Sequence, residues 1–512
     1  VLYKTPFLGS GGVIVTEHPL ASLAGFKVLM NGGNAVDAAV SSSFALTVLQ
    51  PHLGGLGSDF FALVYLRDDD KICGINAGGW APSGLSLDFL KGKGFSRIPG
   101  RGALTVVVPG LVGGLCELHE RFGVSNFSGL LSDAIGYAEE GFPIYRSLSV
   151  AIKLLKEKLG RDDGFKKIFL ANENVCEVGK YLVQKELAST LRGIAEGGSG
   201  GFYRGDVTES IVEYVNSQGG VFSVEDFEDY SPEWFDPIFT DYRGVAVYEM
   251  PPPTMGATAL LILNMLESQD VVKHAPNSAH RVVLGVELAR IAYGKRDSEL
   301  GDPRFVDVSL RDFVSKEYAS RLVEEKLHYK IDTTLFGGDT TYFAVADEEG
   351  NVVSAIQSLF YPFGSGLVDP GTGVPLNGRA SYFKFDGPNV VSPRKRPVHT
   401  LSSLLLEREG DVFAALGASG GEFRPQQHAL LVSNLVDYHM PLWEAIEFPR
   451  FLWGGGKKVL VEEGIKYPRS GYDIQKLPYP GRTGVAQGVL IENKKLKVGV
   501  CDFRGDGLPM GY

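Results

Sequence analysis

The chain has little that would announce a metal centre, a disulfide scaffold or a membrane span. Its four cysteines, Cys73, Cys116, Cys176 and Cys501, lie far apart in 512 residues and form no CxxC pair. Such spacing indicates neither a zinc site nor a disulfide framework. Nine histidines are present without an HExxH among them. No metal or other cofactor is expected. Uncharged stretches such as Gly102 to Cys116 are broken by Pro109 and glycines and fall short of the length a bilayer demands. Repeats and low-complexity linkers are missing too, which predicts one folding unit. Positive charge is scarce: 50 Lys and Arg against 61 Asp and Glu give a net charge of −11. Nucleic acid and anionic membrane both select basic surfaces, so a small-molecule substrate is the better expectation. The start at Val1 shows no basic, then apolar, leader. A cytoplasmic location is expected, with secretion after loss of an unseen leader left open because Val1 is not an initiator methionine. What is present, 44% hydrophobic and 22% charged residues, suits a soluble protein with a substantial core.

The stretch from Gly337 to Ser358, GGDTTYFAVADEEGNVVSAIQS, organises the rest. Thr341 to Asp347 and Val352 to Leu359 are rich in β-branched and aromatic residues, and Glu348, Glu349 and Gly350 between them carry turn chemistry. A three-residue loop ending in a positive-φ glycine pairs Asp347 with Asn351. Counting back along both strands sets Thr340 opposite Ser358, with Cβ atoms about 5 Å apart on one face. Thr is common in strands, so two facing hydroxyls alone do not make a site.

Elsewhere, Leu20, Leu23, Phe26 and Met30 recur at helical spacing after Pro19, and Gly32-Gly33 ends that helix. Asn34 caps a second helix through Val36, Val40, Phe44 and Val48, which Pro51 stops. The glycine-rich loop His52 to Asp59 lacks the Lys-Ser or Lys-Thr of a phosphate cradle. Phe60 to Leu66 and Ile72 to Asn76 read as a hairpin, and Thr105 to Gly114 as a strand entering a helix. The charged helical stretch Leu148 to Leu191 reads as a solvated outer layer. Two segments match G-x-S-x-G. Gly197 to Gly201 follows a helix and is a decoy. Gly417 to Gly421 is a sharper rival, because a strand (Val412 to Leu416) precedes it and a helix (Pro425 to Tyr438) follows, as in a nucleophile elbow with Ser419 at its tip. Against it, the preceding stretch reads as hairpins, and the downstream Asp437 and His439 fall at the helix end.

Several segments in chain order resemble the gamma-glutamyltransferase (gamma-glutamyltranspeptidase) family of N-terminal nucleophile hydrolases: GGNAVDAAV at Gly32 to Val40, TVVVPGLVGG, EEGFP at Glu139 to Pro143, FYRG at Phe202 to Gly205, PPPTM at Pro251 to Met255, FGSGLVDPGTG at Phe363 to Gly373, and the final CDFRGDGLPMGY. The Arg504-Gly505-Asp506 tripeptide belongs to that ending rather than to cell adhesion. The resemblance runs from about Gly11 to Tyr512. It implies an α+β fold, a four-layer α-β-β-α sandwich, and self-cleavage between Asp339 and Thr340. The 1–339 and 340–512 regions would then form a heterodimer of the chain's own fragments, able to dimerise further, and together one folding unit.

The resemblance also implies roles. Thr340 would attack the Asp339 carbonyl in the uncut chain, with Gly337 and Gly338 letting the backbone reach a strained geometry. Once freed, its α-amine, with a reference pKa of about 7.7 to 8.0, would serve as base for its own hydroxyl. Thr341 and Ser358 would orient the nucleophile, and the Gly420 and Gly421 amides would form an oxyanion hole.

The substrate pocket departs from the transferase pattern. Where transferases carry an arginine for the substrate α-carboxylate, this chain has Gly78. Arg379 and Tyr382 stand for a glutamine and an aspartate, Phe360 for an asparagine, and His399 and Thr400 for a serine pair. The Arg-Pro-x-His-Thr-Leu run from Arg396 is more similar to the acylase and oxamate-amidohydrolase branch. Arg379 suggests a site for an anionic group, with a surface salt bridge as the plain alternative. Three readings follow: a gamma-glutamyltransferase-like enzyme passing an acyl group to water or an amine; an amidohydrolase or acylase of the same family acting on another small amide, such as a dicarboxylic-acid monoamide; and an uncut, non-enzymatic binding or scaffold relative.

Overall fold

The computed structural model describes residues 4–170, 177–325, 335 and 339–512. Two seven-stranded sheets form its centre. The first runs in the order Pro509–Gly511, Val13–Val15, Asp339–Ala346, Val352–Phe360, Asp59–Leu66, Lys71–Ala77, Glu233–Phe235. The second runs Phe7–Gly9, Leu496–Cys501, Ala486–Glu492, Asp411–Ala418, Leu404–Arg408, Val245–Glu249, Ile238–Tyr242. All pairings in both are antiparallel. Strands from before and after the 339/340 bond interleave in each of these two sheets, so neither stretch completes either one alone.

Three apolar cores separate the layers. Between the sheets lie Phe61, Leu63, Tyr342, Ala344, Ile356, Leu405 and Ala415. Phe60, Ala62, Phe343 and Val353 point the other way, into helices Pro19–Met30, Ala35–Leu49 and Leu111–Phe122. Leu404, Leu406, Ala414 and Leu416 pack into Gly256–Glu267, Ala279–Glu299 and Arg424–Val436. This is the four-layer sandwich. Because both faces of the central strands are covered, Val352–Phe360 is buried along its whole length, and period-two alternation disappears. Phe60 and Phe61 are both fully buried, on opposite faces; burying such a side chain stabilises by roughly 1.5 to 3 kcal/mol.

The hairpin has the expected register. The Asp347 amide donates to the Asn351 carbonyl at 3.1 Å, Thr341 pairs with Gln357, and Gly350 has φ 93°. Asp347 also accepts from the Gly350 and Asn351 amides at 2.9 and 2.8 Å and from the Ala35 amide at 2.9 Å. The turn is thereby tied to the start of the Ala35–Leu49 helix. That helix carries a capping box: Asn34 Oδ1 accepts from the Asp37 amide, and the Asp37 carboxylate accepts from the Asn34 amide.

One expected element is absent. Val106 to Val108 do not form a strand; the Val108 amide donates to the Trp80 carbonyl at 3.1 Å and the Val107 amide to Asn377 Oδ1 at 3.0 Å. Single loop partners satisfy the amides, so the apolar run is buried as coil ahead of the Leu111–Phe122 helix. Gly337 and Gly338 lie outside the described residues.

Candidate active site

The Thr340 hydroxyl donates to Ser358 Oγ at 3.2 Å, and Thr340 is almost fully buried. Ser358 also accepts the Phe360 amide at 2.9 Å. At this end of the hairpin the ladder slips: Asp339 pairs with Phe360, and a bulge separates Asp339 from Thr341. Phe360 itself has φ 85°, a conformation that costs a bulky residue about 1 to 3 kcal/mol. The bond between Asp339 and Thr340 therefore sits in a distorted stretch of an otherwise regular sheet.

The register carries the site sideways. Ser358 pairs with Asp59, and the Phe60–Ala77 pairing sets Asp59 beside Gly78. Thr340, Ser358, Asp59 and Gly78 thus form one row across four neighbouring chain segments. Each step is about 4.8 Å, the spacing between paired strands. The row shares its face with Tyr342, Ile356 and Phe61, which belong to the core between the sheets. Thr341, one residue on, faces the other way. Its Cγ2 is 2.8 Å from where a Cβ on Gly54 would lie, and its hydroxyl has no partner among the described residues. Hence Thr340 and Ser358 are brought together, while Thr341 is not in contact with the Thr340 hydroxyl.

Asp59 is the hub of the pocket. Its Oδ1 accepts the Gly79 amide at 2.7 Å and its Oδ2 accepts Arg379 Nε at 2.9 Å. His399 Nε2 lies 3.3 Å from the same Oδ2 without hydrogen-bond alignment, and His399 Nδ1 is 2.7 Å from the Pro397 carbonyl. Burial opposes ionisation of Asp59, but His399, Arg379 and the Gly79 amide outweigh it and hold the carboxyl below its usual range. Burial keeps His399 below its ordinary value, against the pull of Asp59. Gly78 makes room for it: a Cβ there would come within 2.9 Å of the His399 ring.

Arg379 is fully buried, which removes the surface salt-bridge alternative. Its Nη1 donates to Thr400 Oγ1 at 3.1 Å and its guanidinium lies 4.7 Å from the Phe360 ring centre. Phe360 meets Tyr382 edge-on at 5.6 Å, and the Tyr382 hydroxyl donates to Glu422 Oε1 at 2.6 Å. The pocket residues expected from the sequence are accordingly neighbours. Asp59 and Glu422 were not expected. An acid opening the otherwise apolar strand Asp59–Leu66, after a glycine-rich loop, was the available signal for the first; nothing local marks the second.

Glu422 directly follows the loop bearing Gly420 and Gly421, whose φ values are 133° and 58°. These favour glycine at both positions. The loop begins where Asp411–Ala418 ends, and the Tyr342 ring lies against Gly417 of that strand. Strand, loop and helix do follow one another here, as an elbow requires, but Asp411–Ala418 pairs antiparallel on both sides. Ser419 Oγ accepts the Val485 amide at 2.9 Å, and Asp437 takes the Tyr242 hydroxyl instead. The elbow reading fails for want of its sheet and its partners. The adhesion reading of Arg504 fails too, because that side chain is buried on Glu462 and Asp502.

The family model for gamma-glutamyltranspeptidase matches residues 21–512. The chain belongs to the gamma-glutamyltranspeptidase family. The glutathione hydrolase-like YwrD proenzyme of Bacillus subtilis is 34% identical over 98% of this chain and 99% of its own length. The oxamate amidohydrolase proenzyme of Klebsiella pneumoniae is 31% identical over 98% of each. A cephalosporin acylase from Bacillus halodurans, solved as a crystal structure, superposes with a TM-score of 0.93 at 32% identity, covering 100% of this chain and 98% of its own. The protein is therefore an enzyme of the N-terminal nucleophile hydrolase type, with acylases and amidohydrolases beside glutathione hydrolases among its relatives. A non-enzymatic scaffold is not supported. Among the described residues no helix is long and apolar enough to cross a membrane.

Proposed function

We propose that Thr340 is the nucleophile of an amide hydrolase or acyltransferase and that the chain makes it by cutting itself. The Thr340 hydroxyl adds to the Asp339 carbonyl carbon, the peptide C–N bond breaks, and the acyl group passes from nitrogen to oxygen. Water then splits this ester into the Asp339 carboxylate and a free Thr340. The fragments 1–339 and 340–512 stay together as a heterodimer, because their strands interleave in both sheets. In turnover the Thr340 α-amine takes the hydroxyl proton, the acyl carbon of a small amide is attacked, and the amine leaves. The Gly420 and Gly421 amides hold the oxyanion, and water or an amine acceptor releases the acyl group.

The observation that carries this reading is the Thr340–Ser358 contact at the bulged end of the hairpin. Thr341 acts on the opposite face, holding the strand against Gly54. Around the row, Arg379, Thr400, His399, Tyr382, Phe360 and Gly78 make up the acyl pocket. A cation, with no free acid beside it among the described residues, favours an acyl group with a carboxylate over a gamma-glutamyl group. Intact mass of fresh and aged protein tests the proposal: two fragments meeting between Asp339 and Thr340, absent from Thr340→Ala, are expected. Full-length protein whose amidase activity survives Thr340→Ala would refute it.

A further inference from the structure

Arg424 opens the Arg424–Val436 helix, three residues after Gly421, and is fully buried. Its Nε donates to the Ala418 carbonyl at 2.7 Å, just ahead of the glycine loop. Neither Nη1 nor Nη2 has a partner among the described residues, and Nη2 of Arg379 is likewise unused. Buried guanidinium nitrogens are almost always hydrogen-bonded. Three idle ones on two arginines close enough to repel each other are donors open to a ligand.

The arginines are linked through the pocket wall: Arg379 over Phe360, Phe360 against Tyr382, Tyr382 on Glu422, and Glu422 two residues from Arg424. Burial and the positive charge of Arg379 bring the Arg424 pKa down to about 9, so it is still a cation at neutral pH. The acids nearby are engaged. Asp59 holds Arg379, and Glu422 holds Tyr382 and lies 3.9 Å from Arg296. Glu249 holds His428 at 2.6 Å and the Ser402 hydroxyl, while Glu17 accepts the Tyr342 amide at 3.3 Å. Asp59 already balances Arg379. Among the described residues no carboxylate is in hydrogen-bond contact with Arg424, on which Glu249 and Glu17 act only through space, and each of the acids named above already has a partner.

We infer that Arg424 binds substrate: its Nη1 and Nη2, with Nη2 of Arg379, close on a single carboxylate at the far end of an acyl group that bears no amino group. The row places Asp59, and Arg379 with it, about 10 Å from Thr340, two strand spacings away. That span suits a short dicarboxylic monoacyl chain. The inference rests on the function proposed above and deepens it.

Three anilides of one chain length separate the possibilities: glutaryl-, gamma-glutamyl- and pentanoyl-p-nitroanilide. They differ only in the carboxylate and the amino group. The processed enzyme should prefer the glutaryl compound over both others. Arg424→Gln should lower the glutaryl-to-pentanoyl ratio of kcat/KM by about 100-fold, chiefly through KM, as expected for loss of a charge-assisted contact, with Arg424→Lys restoring part of it. An equal loss on all three substrates would make Arg424 a clamp on the glycine loop and overturn the inference, as would a wild-type preference for gamma-glutamyl. Binding gives a second readout that needs neither turnover nor cleavage. Millimolar glutarate should raise the Tm of the wild type and not that of Arg424→Gln, whereas no shift in the wild type would overturn the inference. Failure of self-cleavage by mass, with the glutarate shift intact, would sink the nucleophile assignment and leave this site standing.

Discussion

The protein buries two clusters of charge, and they are built differently. Near the C-terminus, Arg504 binds Glu462 at 2.5 and 2.9 Å and Asp502 at 2.9 Å, while Arg450 binds Asp502 at 2.6 Å and the Gly484 carbonyl at 2.7 Å. None of these side chains has an unpartnered buried nitrogen or oxygen among the described residues. Around Asp59 the opposite holds: nitrogens of Arg379, Arg424 and His399 are left over. A closed network fixes its neighbourhood and offers a ligand nothing. One with idle donors carries a desolvation cost that a bound anion would offset. That difference separates framework from site more sharply than burial does, since both clusters are equally inaccessible.

The largest effect expected is on stability. Asp59→Ala leaves Arg379 buried without its acid, and Asp502→Ala does the same to Arg450, so each should cost about 3 to 5 kcal/mol in denaturant unfolding. Only Asp59→Ala should also change the glutaryl-to-pentanoyl ratio. A changed ratio in Asp502→Ala would break the comparison. Next comes Gly78→Ala, whose methyl must displace the His399 and Phe61 rings. Overpacking of this kind costs roughly 1 to 3 kcal/mol, and the fall in kcat/KM should be recovered when His399→Ala is added.

pH gives the smaller effects. The Asp59 pKa is depressed, so its stabilising pair is complete above the unfolded value of about 3.9 and is lost as pH falls below it. An acid titration of Asp59→Asn should show a shallower loss of stability there. In turnover, kcat/KM should rise with the free Thr340 amine, near pH 7.7 to 8.0 by its reference value of about that range. His399→Gln should leave that midpoint in place.

The hairpin was legible because its signals are local: turn residues at Glu348 to Gly350 fix the loop, and the loop fixes the Thr340–Ser358 register. Asn34 was legible for the same reason, since a cap acts within three residues. Asp59 was not. Its role arises from pairing with Ser358, nearly three hundred positions away, and sequence spacing says nothing about which strands adjoin. Arg424 reads locally as an ordinary first-turn residue, and its two unpartnered nitrogens exist only in the packed molecule. Val106 to Val108 misled because β-branched runs are buried as readily in coil as in sheet, provided each amide finds some partner. The four-layer arrangement came from resemblance, as two-sided burial erases the alternation from which strands are usually read.

The central claim is that Thr340, and not Ser419, carries the acyl group. Quenching the enzyme during turnover of glutaryl-p-nitroanilide and mapping the adduct by peptide mass tests it most directly. A glutaryl ester on the peptide that begins at Thr340 is expected. A glutaryl group on the peptide containing Ser419, with Thr340 unmodified, would contradict it.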